Sequence, residues 1–411
     1  MTNEAPSKHA LAFIFITMLV DTIGLGIIIP VTPKLIVQLT HQGLSEAAVW
    51  GSWLLFVYAL MQFLCAPLIG NLSDRFGRRP VLILSLLALG VDYVITGLAP
   101  TIAWLFIGRF LSGAAGASYS TVNAYIADVS PPEKRAANFG LTGAAFGLGF
   151  ILGPALGGVI GQYFGPRTPF YVSAALSVCN ALYGLIVLKE SLPPSRRRMF
   201  EWWRTNPLTP LAPLKHYPMV VGMIGVVVLM QLAHAANPSI WSYYVMLKFH
   251  WTPAEVGYSL MAVGAGISIV FGFLTRIVIP RIGEAPAVYF GLACSAVGFF
   301  GYAYATQGWM MYAWMAIWCL SGLAGPALNA IMSKQVAPDQ QGELQGALAS
   351  VNSLTAIVAL VMLPHLFGYF TSAAAPFYFP GAAFFAAALC ELGAMAIFFA
   401  MLQRAALQPA E

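Results

Sequence analysis

Apolar runs alternate along the whole chain with short polar stretches that are rich in proline, glycine and charge. A helix needs about 20 apolar residues to cross the hydrocarbon core of a bilayer, and each run is long enough to do so. The runs predict helices at 10–32, 47–70, 80–98, 101–127, 137–161, 168–188, 219–245, 253–278, 285–306, 309–334, 343–369 and 378–403. The pattern is typical of an all-α integral membrane protein, here with 12 transmembrane helices.

The charge content agrees with a chain that is surrounded by lipid. Charged residues make up 9% of the 411 residues and hydrophobic residues 59%, whereas about 25% of a soluble domain is charged. Sixteen of the 20 lysines and arginines fall on the side of the two termini, and three fall on the opposite side. Cytoplasmic loops carry the excess of positive charge. We therefore expect cytoplasmic termini, the lipid bilayer as a partner and no bound nucleic acid.

One long loop divides the chain into halves of similar size. We expect a six-helix bundle at 1–188, a linker at 189–218 and a second six-helix bundle at 219–411. The linker is basic and rich in proline. The aromatic residues beside its charges fit either a short helix at the membrane interface or a plain solvated linker.

The two halves also share an internal repeat. A Gly-Ala-Ala-Gly motif at 113–116 precedes a Pro-Pro-Glu turn at 131–133, and a Gly-Leu-Ala-Gly motif at 322–325 precedes Pro338 and Asp339. The offset between the two sets is about 207–209 residues. Parallel repeats with a site between them are a transporter architecture. We therefore expect two pseudo-symmetric six-helix bundles, with a monomer as the default state.

The most specific local motif is the loop G-N-L-S-D-R-F-G-R-R-P at 70–80, between the second and third predicted helices. Glycine lets the chain turn in little space, and the helix dipole favours an acid near a helix start. Arg78 and Arg79 are placed to pair with Asp128 or Glu133, which would hold the two halves in one access state. The predicted conformational gate comprises Gly70, Asp74, Arg75, Gly77, Arg78, Arg79 and Asp128. An ordinary positively charged loop is the alternative.

Four charged residues lie inside predicted helices, where each costs roughly 2.5–3.5 kcal/mol to insert at the bilayer centre. They are Asp21, Asp92, Arg109 and Glu391. Asp21 and Arg109 both fall near the midplane, so either pairing or water in a cavity would stabilise them. Burial favours a protonated carboxyl, and a nearby arginine favours an ionised one. We expect these four residues to take part in proton coupling, with Asp21 first; a static buried ion pair is the alternative.

The fifth predicted helix contains a row of small residues and a proline. They are Gly149, Gly153, Pro154, Gly157 and Gly158. Small residues four apart let two helices approach closely, and neighbouring helices tolerate the proline that perturbs the backbone hydrogen-bond ladder. A face that serves only helix packing would explain the same pattern.

Several stretches together carry a family resemblance. They are the segment from Tyr58-Ala59-Leu60-Met61-Gln62 through Asp92-Tyr93, Gly108-Arg109-Phe110-Leu111-Ser112-Gly113, Phe146-Gly147-Leu148-Gly149 and, more loosely, Gln341-Gly342-Glu343-Leu344-Gln345-Gly346. They resemble the major facilitator superfamily, and closely its tetracycline/proton antiporters. The resemblance implies functional roles for Asp21, Asp92 and Arg109, and it makes the glycine row similar to the antiporter motif of exporters. The chain departs from the family at two positions. Ser295 stands in place of an acid in the family's ninth transmembrane helix, and Ile267 stands in place of a histidine in its eighth transmembrane helix.

Polar and aromatic residues within or near the helices suit a cavity for an amphipathic organic compound. We expect substrate contacts from Gln62, Asn123, His234, Asn237, Trp241, Asn329 and Asn352. His234 and His365 also belong to the residue type that titrates near neutral pH. Helix packing, lipid contact or a structural hydrogen bond are the alternatives for these positions.

Together these features predict a secondary active transporter that works by alternating access. We expect proton-coupled export of an amphipathic organic compound, such as a tetracycline, across a bacterial inner membrane. The sequence contains no G-x-x-x-x-G-K-S/T phosphate loop, no metal-ligand spacing and no catalytic cluster, so we expect neither an enzyme nor a cofactor besides protons. A divalent cation carried by the substrate is left open. The alternatives are a transporter of an endogenous metabolite with different coupling, a membrane sensor that does not transport, and a membrane-embedded enzyme.

Overall fold

The described part of the protein is helical almost throughout. The computed structural model describes residues 8–116, 119–131, 135–208, 218–337 and 340–407, and these ranges contain no strand. The N-terminal half forms α1 (Lys8–Ile28), α2 (Thr32–Thr40), α3 (Leu44–Phe76), α4 (Arg78–Leu98), α5 (Ile102–Gly116), α6 (Tyr119–Val129), α7 (Arg135–Phe164) and α8 (Thr168–Val187). The C-terminal half forms α9 (Pro218–His234), α10 (Ala236–Phe249), α11 (Pro253–Ile269), α12 (Thr275–Ile282), α13 (Glu284–Tyr304), α14 (Gly308–Cys319), α15 (Ala324–Ser333), α16 (Gln341–Thr371) and α17 (Ala382–Leu407). The predicted all-α fold class is confirmed.

The helices follow the predicted spans in most of the chain. Among the described residues, 10 helical stretches are long and apolar enough to cross a membrane, and the bent pair of α1 and α2 raises the number to 11 if it counts as one span. The fourth predicted span, at 101–127, corresponds to α5 and α6, which flank residues 117–118 outside the described ranges. The number of 12 spans stays a prediction.

Helix α2 differs from the sequence prediction, which places a loop after residue 32. Pro33 lies in the first turn of α2, where proline is tolerated because the N–H that it lacks would have no helical partner. His41 follows the helix in the left-handed conformation at φ 55°, and its N–H donates to the Val37 carbonyl. The axes of α1 and α2 meet at 45°. Proline therefore starts a new helix here instead of ending the segment.

A second break separates α9 from α10 within the seventh predicted span. Pro238 lies in the first turn of α10 and has no N–H to donate to the His234 carbonyl, four residues earlier. Helix α9 accordingly ends at His234, and Ala235 links it to α10. The break places the His234 side chain at a helix end.

The helices form two compact units, each discontinuous in sequence. Unit 1 consists of Met1–Gln42, Leu54–Pro207 and Trp251–Gly264, and unit 2 consists of Gly43–Trp53, Leu208–His250 and Ala265–Glu411. The change of unit at 207–208 falls within the predicted linker, whereas the first turns of α3 and most of α11 are grouped with the opposite half. The continuous domains 1–188 and 219–411 stay a prediction.

Apolar packing positions the helices of each unit. In unit 1, α1 packs along α7 and α8, while α4 packs along α5 and α8. Phe13, Leu82 and Tyr125 belong to the core between them. In unit 2, α17 packs against α9 and α13, with Met223 and Phe398 in the core. The polar side chains buried inside each unit are therefore surrounded by apolar packing.

The described part of the linker contains two short 3-10 helices, Pro194–Arg196 and Trp202–Thr205. It is bonded to the end of α3 within unit 1. The Arg198 N–H donates to the Asp74 carbonyl at 3.1 Å, and the Asn71 side-chain amide donates to the Glu201 carbonyl at 2.8 Å. Hydrogen bonds to the end of α3, and not a continuous helix, thus hold this segment in place.

Candidate functional site

A cavity lined by charged, hydroxyl-bearing and apolar side chains lies among α1, α3, α4, α5 and α6 of unit 1. Its wall is formed by Asp21, Thr22, Leu25, Tyr58, Leu89, Asp92, Tyr93, Arg109, Ser112, Gly116 and Tyr119. Three of the four charged residues that the sequence places inside helices meet here. The structure therefore brings the predicted charges of the N-terminal half into one site, while Glu391 lies in unit 2.

Arg109 pairs with Asp92 in this cavity. Its Nη2 atom lies 2.8 Å from Asp92 Oδ2, and the Thr96 hydroxyl donates to Asp92 Oδ1 at 3.2 Å. The Asp92 side chain is 0% exposed and the Arg109 side chain 13%. Pairing of Arg109 with Asp21, one of the two arrangements expected from the sequence, is not found. Because a Cβ atom at position 108 would overlap the Asp92 carboxyl, Gly108 leaves the space for the observed pair.

Asp21 lines the same cavity and is half-buried. Within the described ranges, its carboxyl has neither an ion-pair partner nor a hydrogen bond, whereas the Asp92 carboxyl has both. An unpaired carboxylate away from bulk water is stabilised by residual hydration or by taking up a proton. Asp21 is consequently the unpaired acid of this cavity, and its role in proton coupling stays a prediction.

Three tyrosines of the cavity wall were not predicted as site residues, although the family resemblance includes Tyr58 and Tyr93. They are Tyr58, Tyr93 and Tyr119. The available signal was helical spacing, since Tyr58 lies one turn before Gln62 on α3. The Gln62 amide donates to the Gly116 carbonyl at 3.3 Å and to the Tyr58 hydroxyl at 3.4 Å. Asn123 is exposed on α6 and does not line this cavity.

Arg78 forms the centre of the predicted gate cluster. Its Nη1 atom lies 2.6 Å from Asp74 Oδ1 and donates to the Ser73 hydroxyl at 2.6 Å, while its Nε atom donates to Asp128 Oδ2 at 3.3 Å. Only 10% of the Arg78 side chain is exposed. Arg75 is exposed and lies over the Phe76 ring at 5.1 Å. The cluster links α3, α4 and α6; its role as a gate stays a prediction.

The Glu190 carboxylate caps α4, which the sequence did not indicate. It accepts hydrogen bonds from the backbone N–H groups of Arg78 at 2.8 Å, Arg79 at 3.3 Å and Leu192 at 3.0 Å. The first N–H groups of a helix lack a partner inside it, and the helix dipole favours an acid there. Gly77 precedes them at φ 104°, and a Cβ atom on it would overlap this carboxylate. A distant acid thus replaces the usual capping residue.

The Arg79 side chain has a different partner from the one expected. Its Nη2 atom donates to the Leu185 carbonyl at 2.7 Å, so it does not join the Asp128 carboxylate. Glu133, the other partner suggested by the sequence, lies outside the described ranges, as do Pro132, Pro338 and Asp339 of the internal repeat. Gly70 lies near the Ser120 hydroxyl of α6, where a Cβ atom would be 3.7 Å from it.

The glycine row of α7 packs directly against neighbouring helices. A Cβ atom added to Gly149 would lie 2.6 Å from Thr22 Cβ, and one added to Gly153 would lie 2.7 Å from the Ile23 carbonyl oxygen. A Cβ atom added to Gly157 would overlap the Ile27 carbonyl. On the other side, a Cβ atom on Gly158 would overlap the Pro253 carbonyl. Pro154 lies inside the helix, and its ring comes 2.8 Å from where a Cβ atom of Gly26 would stand. The row therefore serves close helix packing, and an export role stays a prediction.

In unit 2, Glu391 meets two residues from other helices. The Ser295 hydroxyl on α13 donates to Glu391 Oε1 on α17 at 2.7 Å, and His234 Nε2 at the end of α9 lies 3.3 Å from the same oxygen. His234 Nε2 is also 3.4 Å from the Ser295 hydroxyl oxygen. The His234 ring packs edge-on against Trp318 at 5.7 Å. A residue predicted as a substrate contact thus lies beside one predicted for proton coupling.

The other predicted substrate contacts of unit 2 have different surroundings. Trp241 is 2% exposed and packs against Tyr302 with ring centroids 5.1 Å apart. The Gln345 amide donates to Asn329 Oδ1 at 2.9 Å. The Asn237 side-chain amide and Asn352 Oδ1 are buried and have no hydrogen-bond partner in the described ranges. The roles of these residues as substrate contacts stay predictions. Among the described residues, no group of three or more His, Cys, Asp or Glu side chains could hold a metal ion.

The family follows from a comparison with known proteins. A family model described as Major Facilitator Superfamily matches residues 14–360. The chain belongs to the Major Facilitator Superfamily. This Major Facilitator Superfamily protein is therefore a multi-pass membrane protein of a transporter class, as its spanning helices also indicate.

Similar proteins narrow the resemblance. The tetracycline resistance protein of class C from Escherichia coli is 38% identical over 361 residues, which cover 88% of this chain and 90% of that protein. The class G protein from Vibrio anguillarum is 38% identical over 337 residues, covering 82% and 85%. The crystal structure of the nucleoside transporter NupG has a TM-score of 0.76 at 14% identity, covering 96% of this chain and 99% of the other. The resemblance to tetracycline exporters indicated by the motifs is confirmed, and the solved structure supports the fold.

Proposed function

We propose that this protein exports an amphipathic organic compound in exchange for protons, with a tetracycline as the first candidate. The tetracycline resistance proteins to which it is similar support this class of cargo. The observation that carries the proposal is the cavity of unit 1, where the unpaired Asp21 lies with the Asp92–Arg109 pair. We place the protein as a monomer in a bacterial inner membrane with cytoplasmic termini, and protons are its coupling ion.

The charge balance of the cavity explains how protons and cargo would be exchanged. Asp92 and Arg109 neutralise each other, so a protonated Asp21 leaves the cavity without net charge. Loss of that proton leaves one negative charge in a medium of low dielectric constant, where a cationic or hydrogen-bonding group of the cargo would compensate it. Proton and cargo then compete for one carboxyl. The tyrosines of the wall offer aromatic faces and hydroxyl groups to an amphipathic cargo.

Alternating access supplies the second half of the mechanism. In such transporters the two bundles open a central site to one side of the membrane at a time. The cluster of Asp74, Arg78 and Asp128 joins three helices at one end of unit 1. The close packing of α1 on α7 joins two more. We infer that these contacts keep the unit rigid while it moves.

The experiment is proton-driven uptake of tetracycline into inverted membrane vesicles. We expect uptake by the parent, none by Asp21→Asn and partial uptake by Asp21→Glu, which keeps the carboxyl. Glu46→Gln is the matched control, because Glu46 is an exposed acid at the start of α3 and does not line the cavity. Equal uptake by the parent and Asp21→Asn would refute the role of Asp21. Repeating the assay with a chelator shows whether the cargo carries a divalent cation.

A different cargo is the alternative that one observation favours. The family resemblance puts Ser295 where tetracycline exporters carry an acid, and in this protein its hydroxyl donates to Glu391. That alternative would be established if neither the parent nor Asp21→Asn took up tetracycline and an endogenous metabolite was transported in inverted or right-side-out vesicles. Specific ligand binding without any flux would instead indicate a sensor.

A further inference from the structure

Glu391 lies where an isolated negative charge is strongly unfavourable. Its side chain is 0% exposed, and Oε2 has no hydrogen-bond partner among the described residues. A buried carboxylate without a counter-charge either takes up a proton or pairs with a cation. In the described ranges, His234 is the group within ion-pair distance that can become cationic. The pair is therefore neutral when it holds one proton, on the carboxyl or on the imidazole.

The neighbouring helices supply no competing cation in the described ranges. On α10, Lys248 donates to the Tyr244 hydroxyl at 2.9 Å, and on α13, Glu284 pairs with Lys334 at 2.7 Å. On α16, His365 Nδ1 lies 2.8 Å from the Val361 carbonyl oxygen. At the cluster itself, α14 contributes the Trp318 ring beside His234, and on α17 Cys390 precedes Glu391 in sequence.

We propose that Glu391, His234 and Ser295 form a proton-binding site within unit 2, which takes up and releases one proton during transport. Glu391 and His234 share the proton, and Ser295 is a positioning residue that orients the carboxyl through its hydroxyl. This site rests on the proposed proton-coupled function and adds a second acid to Asp21. The proton moves between Glu391 Oε1 and His234 Nε2, which are 3.3 Å apart, without any change in the net charge of the pair.

His234 is the partly exposed member of the pair, whereas Glu391 is fully buried. The His234 side chain is 27% exposed, whereas that of Glu391 is 0% exposed, so the imidazole is the point of proton entry and exit. It is also the last residue of α9, at the break that Pro238 imposes. Because Pro238 cannot donate to the His234 carbonyl, this joint is a point at which a bend would move the imidazole relative to α17.

The test is infrared difference spectroscopy of the purified, reconstituted protein after a change of pH. We expect the parent to show the carbonyl stretch of a protonated buried carboxyl. Glu391→Gln removes this band, Ser295→Ala shifts it because a hydrogen bond is lost, and Asp21→Asn retains it. Since the measurement needs no cargo, it remains decisive even if tetracycline is not transported. A spectrum of Glu391→Gln identical to that of the parent would overturn the proposal.

A relocated carboxyl distinguishes a proton site from a structural contact. The double variant Ser295→Asp/Glu391→Gln moves the carboxyl from α17 to α13 at nearly the same point, since the two side chains are 2.7 Å apart. We expect the band to return in the double variant but not in Glu391→Gln alone. Absence of the band from a folded double variant, or a band that responds to Na⁺ instead of pH, would contradict the proposed site.

Discussion

The pairing of Arg109 with Asp92 makes a specific prediction about stability. Because the Asp92 side chain is 0% exposed and the Arg109 side chain 13%, each charge depends on the other for compensation. Removing one partner of a buried ion pair costs about 3–5 kcal/mol, whereas replacing both by uncharged residues is often nearly neutral. We therefore expect Asp92→Asn and Arg109→Gln each to destabilise the protein by about 3–5 kcal/mol. The double variant should be more stable than either single variant.

The assay is an equilibrium unfolding titration of purified protein in mixed micelles, followed by tryptophan fluorescence. A double-mutant cycle on Asp92 and Arg109 gives the coupling between them. The matched control is a cycle on Asp21 and Arg109, where we expect additive effects, since no ion pair joins these residues. Additive losses in the first cycle and strong coupling in the second would refute the observed pairing and restore the one considered from the sequence.

Three further predictions use the same titration. Glu190→Ala should destabilise by about 0.5–2 kcal/mol, as for loss of a helix cap, and should speed hydrogen exchange of the Arg78 and Leu192 amides; unchanged exchange would contradict the capping role. Gly77→Ala should destabilise the protein by about 1–3 kcal/mol, because alanine is strained at the positive φ of this position. The loss should exceed that of Gly283→Ala, since both glycines have positive φ but of the two only Gly77 has a carboxylate where the Cβ atom would stand. Gly157→Ala should destabilise the protein by about 1–3 kcal/mol through overpacking against α1. Gly143→Ala in the same helix should not destabilise it, because nothing lies within 4 Å of the added Cβ atom. Equal stability of the two variants would argue against the packing face.

The sequence alone determined the fold class, most spans and the family. Those properties depend on local features: the length of an apolar run, the charges between runs, and motifs that are contiguous in the chain. It also identified the charged residues inside the helices, because an ionisable side chain in an apolar run is conspicuous whatever its partner. Helix α2, which has Pro33 in its first turn, was missed because the predicted span ended at residue 32 and a loop was placed after it.

The tertiary structure decided which of these residues meet. Arg109 lies against Asp92 and leaves Asp21 unpaired because Gly108 lets α5 approach α4 at that point. Glu190 caps α4 across a sequence separation of 112 residues, and Ser295 reaches Glu391 across 96. Such contacts depend on how each helix is rotated about its axis and how closely it packs. Rotation and distance are set by all the neighbouring side chains together, so no single stretch of the chain records them.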